Sequence, residues 1–286
     1  MKKFLYISTL ILALFCIFPI CAGAQAKITT RKVKLSDFGT KVTKVVLTGS
    51  DIYDQALRAE ITRRWHVSPY EFISGGEYAA VRNSDKYYFL LTQDSRARKE
   101  SEPGITVLSL EKGGPDDPKA PNETFEVVSM PLCAAEDPDG REYLFLPAML
   151  DIIQQFALDA MQSDRVGYGG LGVYAESPGK LSGRDVYFAE SDVSPDVVPD
   201  QTWEARSIFI IGDSEADDIF AQGKENAVVS YTVTPTAPEK NSYCYRLLIS
   251  ADTHELFLCR RNRAGAAGKA GFQQADFKFI KTFKKK

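Results

Sequence analysis

The chain has 286 residues, 44% of them hydrophobic, with 38 acidic against 35 basic side chains and only 2 histidines. That near-balance supplies no electrostatic footprint for nucleic acid, and two histidines far apart in sequence form no close ligand pair for a transition metal. The length suffices for one large domain or two of about 120 residues, each able to bury a core.

Lys2 and Lys3 precede an apolar run, Phe4 to Ile20, that closes on Ala22-Gly23-Ala24. This is the order of a secretory signal peptide, and residues 1–24 are set aside from the fold. Cleavage is expected after Ala24, or after Ala26. Cys21 follows Ile20, not a small residue, which disfavours a lipid anchor. No later apolar run reads as long enough to span a bilayer. Of 5 cysteines, Cys133, Cys244 and Cys259 lie beyond the leader, an odd number that allows at most one internal bridge.

The first strand is expected at Val45 to Thr48, and Asp51 then reads as a helix cap. Tyr53, Leu57, Ile61 and Trp65 recur at four-residue steps and define one apolar stripe. Ser68-Pro69 marks the helix as ended, and Tyr70 to Ile73 reads as a second strand. Gly75-Gly76 leads into a short helix, Glu77 to Arg82, and Tyr87 to Leu91 is a continuous apolar run suited to a strand covered on both faces. After a polar break come strands at Ile105 to Leu110 and Thr124 to Met130, separated by a loop from Gly113 to Asn122. Asp137-Pro138-Asp139-Gly140 predicts a turn with positive φ at Gly140. Leu146 to Met161 contains the longest helix, with Leu150, Ile153, Phe156, Ala157 and Ala160 as its buried face. A helix so poor in charge is expected to pack centrally, between two halves.

The second half follows a glycine-rich passage, Val166 to Tyr174. Strands are expected at Val186 to Ala189, Ser207 to Ile211, Val228 to Val233, Tyr243 to Ile249 and Leu256 to Cys259, the last two joined as a hairpin through Ser250 to His254. Asp213 or Ser214 is placed to cap a short helix, Glu215 to Gln222, which Gly223 ends. The order strand, short helix, strand, strand runs from Tyr70 through Leu110 and again from Ser207 onward, which suggests an internal repeat. Phe272, Phe279 and Phe283 fit either a docking helix or a last strand. In the hairpin, Ala251 suits a two-residue type I′ turn poorly, so a four-residue loop with Ser250 facing Glu255 is expected. That register sets Cys244 and Cys259 diagonally apart, and three free thiols follow.

The set Val45 to Thr48, Asp51, Ala59 to Trp65 and Tyr70 to Ile73 resembles exported α/β modules of Gram-negative envelope proteins, such as the N-terminal domain of the Tol-Pal translocation protein. The hairpin Leu247 to Phe257 is similar to one in uncharacterised secreted bacterial proteins. The first resemblance implies assembly or interaction work in the envelope and carries over no catalytic residues.

Four constellations bear on chemistry. Gly167-Tyr168-Gly169-Gly170-Leu171-Gly172 satisfies G-x-G-x-x-G but follows a helix instead of a strand, so a flexible interdomain passage is the expected reading. Gly212-Asp213-Ser214 lies between a strand and a helix and resembles the first block of GDS-type lipases and esterases, whose serine is the nucleophile. Here it comes late in the chain, and Asp252-Thr253-His254 lacks that family's spacing. Helix capping accounts for the same residues. Asp213, Glu215, Asp217 and Asp218 alternate like a calcium loop, yet Asp218 stands where glycine is needed and Lys224 where glutamate is. His66 and His254 read as surface residues at a helix end and a turn.

The sequence therefore predicts an α+β (mixed α/β) protein of two similar strand-helix-strand-strand modules, at 27–132 and 176–286, about a linker at 133–175 that holds the central apolar helix. The expected role is exported, periplasmic or secreted, non-catalytic interaction or accessory work on another envelope or secreted protein, with no cofactor, metal, nucleic acid or transmembrane span. A serine hydrolase using Ser214 and His254, or a small-ligand binder in the cleft between modules, is the alternative.

Overall fold

The computed structural model describes residues 35–114, 124–174, 181–264 and 270–280. The expected leader with Cys21, most of the loop before Thr124, and Phe283 lie outside the described residues. Sheet 1 is built from β1 (Val42–Val46), β2 (Tyr70–Ile73), β3 (Tyr87–Ser95), β4 (Ile105–Lys112) and β5 (Phe125–Ala134), with α1 (Asp51–Arg64) and α2 (Gly75–Val81) in its crossovers. Its order is β2-β1-β3-β4-β5, parallel through β2-β1-β3 and antiparallel onward. Next come α3 (Arg141–Gln162) and α4 (Asp164–Gly169). Sheet 2 comprises β6 (Asp185–Ala189), β7 (Ile208–Ile211), β8 (Ala227–Val233), β9 (Tyr243–Ser250) and β10 (Leu256–Arg263), with α5 (Asp213–Ala221) between β7 and β8 and α6 (Gln274–Phe279) at the end. Its order, β10-β9-β8-β6-β7, repeats the pairing of sheet 1 strand for strand. The fold is α+β, two similar modules about a central helix.

Helix α1 buries Tyr53, Leu57 and Ile61, with Trp65 buried just past its end, as the stripe predicts. Its start differs from expectation. Ser50, not Asp51, is the N-cap residue, and neither makes a side-chain cap bond. Asp54 instead reaches back to accept from the Thr48 and Gly49 N–H groups at 2.8 and 2.9 Å. A carboxylate in the first turn thus binds the incoming loop, the same dipole-favoured position used differently. Helix α2 carries a complete capping box between Ser74 and Glu77.

Helix α3 is longer than its apolar stretch suggests. It starts at Arg141, directly after Gly140 at φ 90°, and the Glu142 carboxylate accepts from the Gly140 N–H at 2.8 Å. At 22 residues it is long and apolar enough to cross a membrane by length and composition, which corrects the expectation that no such run exists. Its apolar character has a nearer cause: Phe145, Met149, Leu150, Ile153 and Phe156 are fully buried in a core shared with both sheets.

The two sheets meet α3 with opposite faces. In sheet 1 the β1–β2 crossover helix α1 lies on the α3 side, while α2 packs on the far side over Phe89 and Leu91. In sheet 2 the corresponding β6–β7 connection puts Trp203 on the far side, and α5 faces α3 through Ala216 and Phe220. The modules therefore stack front to back, not about a two-fold axis. The register makes the consequence visible. Leu91 pairs with Ser109 where Tyr231 pairs with Leu247, and Phe89 pairs with Glu111 where Val229 pairs with Ile249. Leu247 and Ile249 belong to the α3 core; Ser109 and Glu111, on the outward face of sheet 1, are held by the Gln93 amide. Ser109 and Glu111 are themselves buried, so this face of the first module carries a hydrogen-bonded polar pair where the second module has an apolar one.

The β9–β10 hairpin has the expected four-residue loop, closed by Ser250 N–H donating to Glu255 C=O at 2.9 Å. A register shift between Leu256 and Leu258 then sets Cys244 opposite Asn262 and Cys259 opposite Leu247. Cys133, Cys244 and Cys259 are all free thiols. Burial pushes Cys133 and Cys259 up to about 12 and moves Cys244 upward as well, so none is a ready nucleophile at neutral pH. The glycine-rich passage, expected as a flexible interdomain passage, is helical and runs through α4 and a 3-10 segment, Gly170–Tyr174. At the chain's end, Phe272 is buried before α6, and Phe277 of α6 stacks on Trp203 at 4.2 Å.

Asp37, at the entry to β1, ties the first turn to the sheet: it accepts from Lys41 at 2.7 Å, from the Tyr88 hydroxyl at 2.7 Å and from Lys112 at 3.1 Å. Burial opposes its charge, but these donors outweigh burial and hold the carboxyl at about 2, below the ordinary 3.8. Its contribution is complete above the ordinary value and is lost as pH falls through 3.8 toward 2. Asp37→Asn is expected to cost about 1 kcal/mol at neutral pH, discounted for partial exposure, and nothing below about pH 2. Urea unfolding of both proteins across that pH range checks it.

Candidate functional site

Among the described residues, the clearest conjunction of a cleft with charged side chains lies where the end of α5 and the β9–β10 hairpin meet α3 and the end of α1. The cleft has a volume of about 290 Å³ and is lined by Arg64, Asp151, Phe220 to Gly223, and Ala251 to His254. His254 is not the ordinary surface residue its turn position suggests. Its Nδ1 lies 2.6 Å from Asp151 Oδ2, which also accepts from Arg64 Nη1 at 2.8 Å; Arg64 Nε donates to Glu60 at 2.6 Å. The imidazole stacks on Phe220 at 5.7 Å, and Phe220 stacks on Phe145 of α3 at 4.1 Å. One chain of contacts thus runs from the sheet 2 hairpin through α3 to α1.

The backbone contributes to this placement. His254 holds φ 56°, a left-handed conformation that closes the four-residue loop and is costly for a residue with a Cβ. His254→Gly and His254→Ala both remove the ring and its bond to Asp151, but only glycine relieves the backbone. Alanine is expected to be the less stable of the two by about 1 kcal/mol. Equal denaturation midpoints for the two variants would show that no strain is stored there.

Ser214 is elsewhere. It is the second residue of α5, exposed, and makes no side-chain hydrogen bond among the described residues. Gly212 is the N-cap residue, and Asp213 accepts from the Ser191 N–H at 2.9 Å, so neither Asp213 nor Ser214 caps the helix as expected. His254 stacks on Phe220, six residues along α5, a rise of about 9 Å. The structure does not bring Ser214 and His254 together. His66 is exposed at the end of α1, its N–H donating to Gln154 of α3 at 3.1 Å.

The acidic run is distributed as well. Asp217 accepts from Arg141 Nε at 3.0 Å, and no group of three or more potential metal ligands occurs among the described residues. Arg141 also donates to Asp192 at 3.2 Å, whose carboxylate accepts further bonds from the Ser230 hydroxyl at 2.6 Å and the Thr232 N–H at 2.9 Å. This buried pair joins the start of α3 to sheet 2. A second, smaller cleft of about 180 Å³ beside it is lined by Cys133, Asp137, Asp139 and residues 231–234 and 236.

Sequence reasoning missed Asp151 and Arg64. Asp151 is an acid inside an otherwise apolar helix, and Arg64 flanks the α1 stripe; both are visible as charges at the edge of a buried face, but their partner is 103 residues from Asp151. No protein-family model, curated protein or solved structure matches this chain.

Proposed function

We propose that the chain is an exported protein that acts by binding, as an interaction or accessory component of a bacterial envelope or its surroundings, and not by hydrolysis. The observation that carries the non-hydrolytic reading is the distance along α5 between Ser214 and Phe220, the residue on which His254 stacks. A serine nucleophile needs its base within about 2.6–3.2 Å, or slightly more before substrate binds. Export rests on the lysine, apolar and small-residue order of residues 1–24. Envelope work rests on the resemblance of the first module to exported α/β modules.

Four measurements on protein expressed with its leader test this. Intact mass is expected to place the mature terminus at Gln25 or Lys27, and a retained Met1 or a lipid on Cys21 overturns export. A fluorophosphonate probe is expected to leave the protein unlabelled; labelling that Ser214→Ala abolishes overturns the non-catalytic reading. Ser214→Ala itself is expected to change stability by no more than about 0.5 kcal/mol, as for an exposed residue that caps nothing. Crosslinking in intact cells is expected to give a discrete adduct with one exported protein, and recovery of the uncrosslinked chain alone counts against a macromolecular partner. The cleft at His254 favours a second reading, small-ligand binding between the modules.

A further inference from the structure

The cleft at His254 is bounded by groups of both charges, and two of them, Arg64 and His254, each have a nitrogen without a partner among the described residues. Arg64 spends Nε on Glu60 and Nη1 on Asp151, and its Nη2 has no partner among the described residues. On the hairpin side, Asp252 is held ionised: burial raises its carboxyl, but donors from Ser250 and the Asn226 N–H, together with the Arg184 guanidinium 3.9 Å from its Oδ1, outweigh burial and lower it. The carbonyl end of α5, at Phe220 to Gly223, borders the same space and adds partial negative charge. Between the two walls, His254 has Nδ1 committed to Asp151, and its Nε2 has no partner among the described residues. Gln222 and Thr253 complete the polar lining.

Size and stacking narrow the ligand further. Small-molecule sites usually span roughly 300–1,000 Å³, so about 290 Å³ admits a molecule of amino-acid size and not a nucleotide. Phe220 is 4% exposed, with Phe145 and His254 stacked on it, so no aromatic face remains for a sugar or a base. A simple anion would meet Asp151 and Asp252, and a simple cation would meet Arg64. A molecule carrying both charges satisfies both walls.

We propose that this inter-module cleft binds a small zwitterion, a free α-amino acid or a dipeptide, with its carboxylate toward Arg64 and its ammonium toward Asp252 and the carbonyl end of α5. This rests on the small-ligand reading of the cleft and is independent of export or a macromolecular partner, because it is tested on purified protein. Both parts of the chain contribute: Arg64 comes from the first module and Asp252 from the second, so occupancy bridges them.

The test is an NMR titration of the folded protein with L-alanine and L-alanyl-L-alanine, set against propionate and ethylamine, which each carry one half of alanine. At least one zwitterion is expected to shift the Gly223, Thr253 and His254 amides saturably, at least about tenfold more tightly than either half. Arg64→Gln is expected to weaken the zwitterion about tenfold and leave ethylamine unchanged; Asp252→Asn is expected to weaken it similarly and leave propionate unchanged. Circular dichroism confirms that each variant is folded. Equal binding of zwitterion and halves, shifts that both variants leave intact, or no saturable shift by either zwitterion up to about 10 mM overturns the proposal.

Discussion

Replacing Phe145 with alanine is expected to lower the stability of the whole protein by about 3–5 kcal/mol, the range for deleting a buried aromatic ring. Phe145 is fully buried on α3, and its ring stacks at 4.1 Å on Phe220 and at 4.2 Å on Tyr231, residues of α5 and β8. Tyr231 in turn donates through its hydroxyl to the Leu132 carbonyl of β5 in sheet 1. The ring therefore sits where both sheets are joined, and its loss leaves a cavity that α3 cannot close by shifting toward one sheet without leaving the other. Leu158→Ala, on the same helix but 37% exposed, serves as the control and is expected to cost about 1 kcal/mol or less. Urea denaturation of the two variants decides it. A Phe145→Ala cost near that of the control would mean that α3 is not the shared core of the two modules.

Asp192→Ala carries the second large effect, about 3–5 kcal/mol, because it leaves a buried guanidinium without its main counter-charge. Asp192 is 2% exposed and binds Arg141, the Ser230 hydroxyl and the Thr232 N–H, so its removal also strands donors from β8. Arg141→Met, which strands the acid instead, is expected to cost a similar amount. The combination is the informative measurement. If the pair acts as a unit, the double variant is no less stable than either single one, since no unpaired buried charge remains. Costs that add would show that Arg141 and Asp192 contribute separately, Arg141 through Asp217 and Asp192 through the β8 donors.

Local chemistry made much of the fold legible. The four-step stripe of Tyr53, Leu57, Ile61 and Trp65 is enough to define both α1 and its buried face, because 3.6-residue periodicity and burial are the same statement for a surface helix. β2 begins and ends where Pro69 and Ser74 say it should. The unsuitability of Ala251 for positive φ led correctly to the four-residue loop and so to unbridged Cys244 and Cys259, although the further shift near Phe257 left no mark in the sequence. Caps were less legible, because an acid in a first turn has several orphan N–H groups to choose from. Asp54 and Asp213 both turned to a neighbouring segment instead of their own helix.

What the sequence determined by itself is the kind and order of the elements, and with them the repeated strand order of the two modules. These depend on periodicity, turn residues and capping, which act over a few residues. What only the tertiary structure decided is which faces meet. The front-to-back stacking of the sheets explains why Ser109 and Glu111 stand where the second module has Leu247 and Ile249, a difference with no local cause. The separation of Ser214 from His254, and the meeting of His254 with Asp151 and Arg64, likewise depend on contacts between segments far apart in the chain. An apolar stripe announces that a helix will be buried. Its partner is selected by packing, where the energies of many weak contacts are summed over surfaces that exist only once the chain has folded.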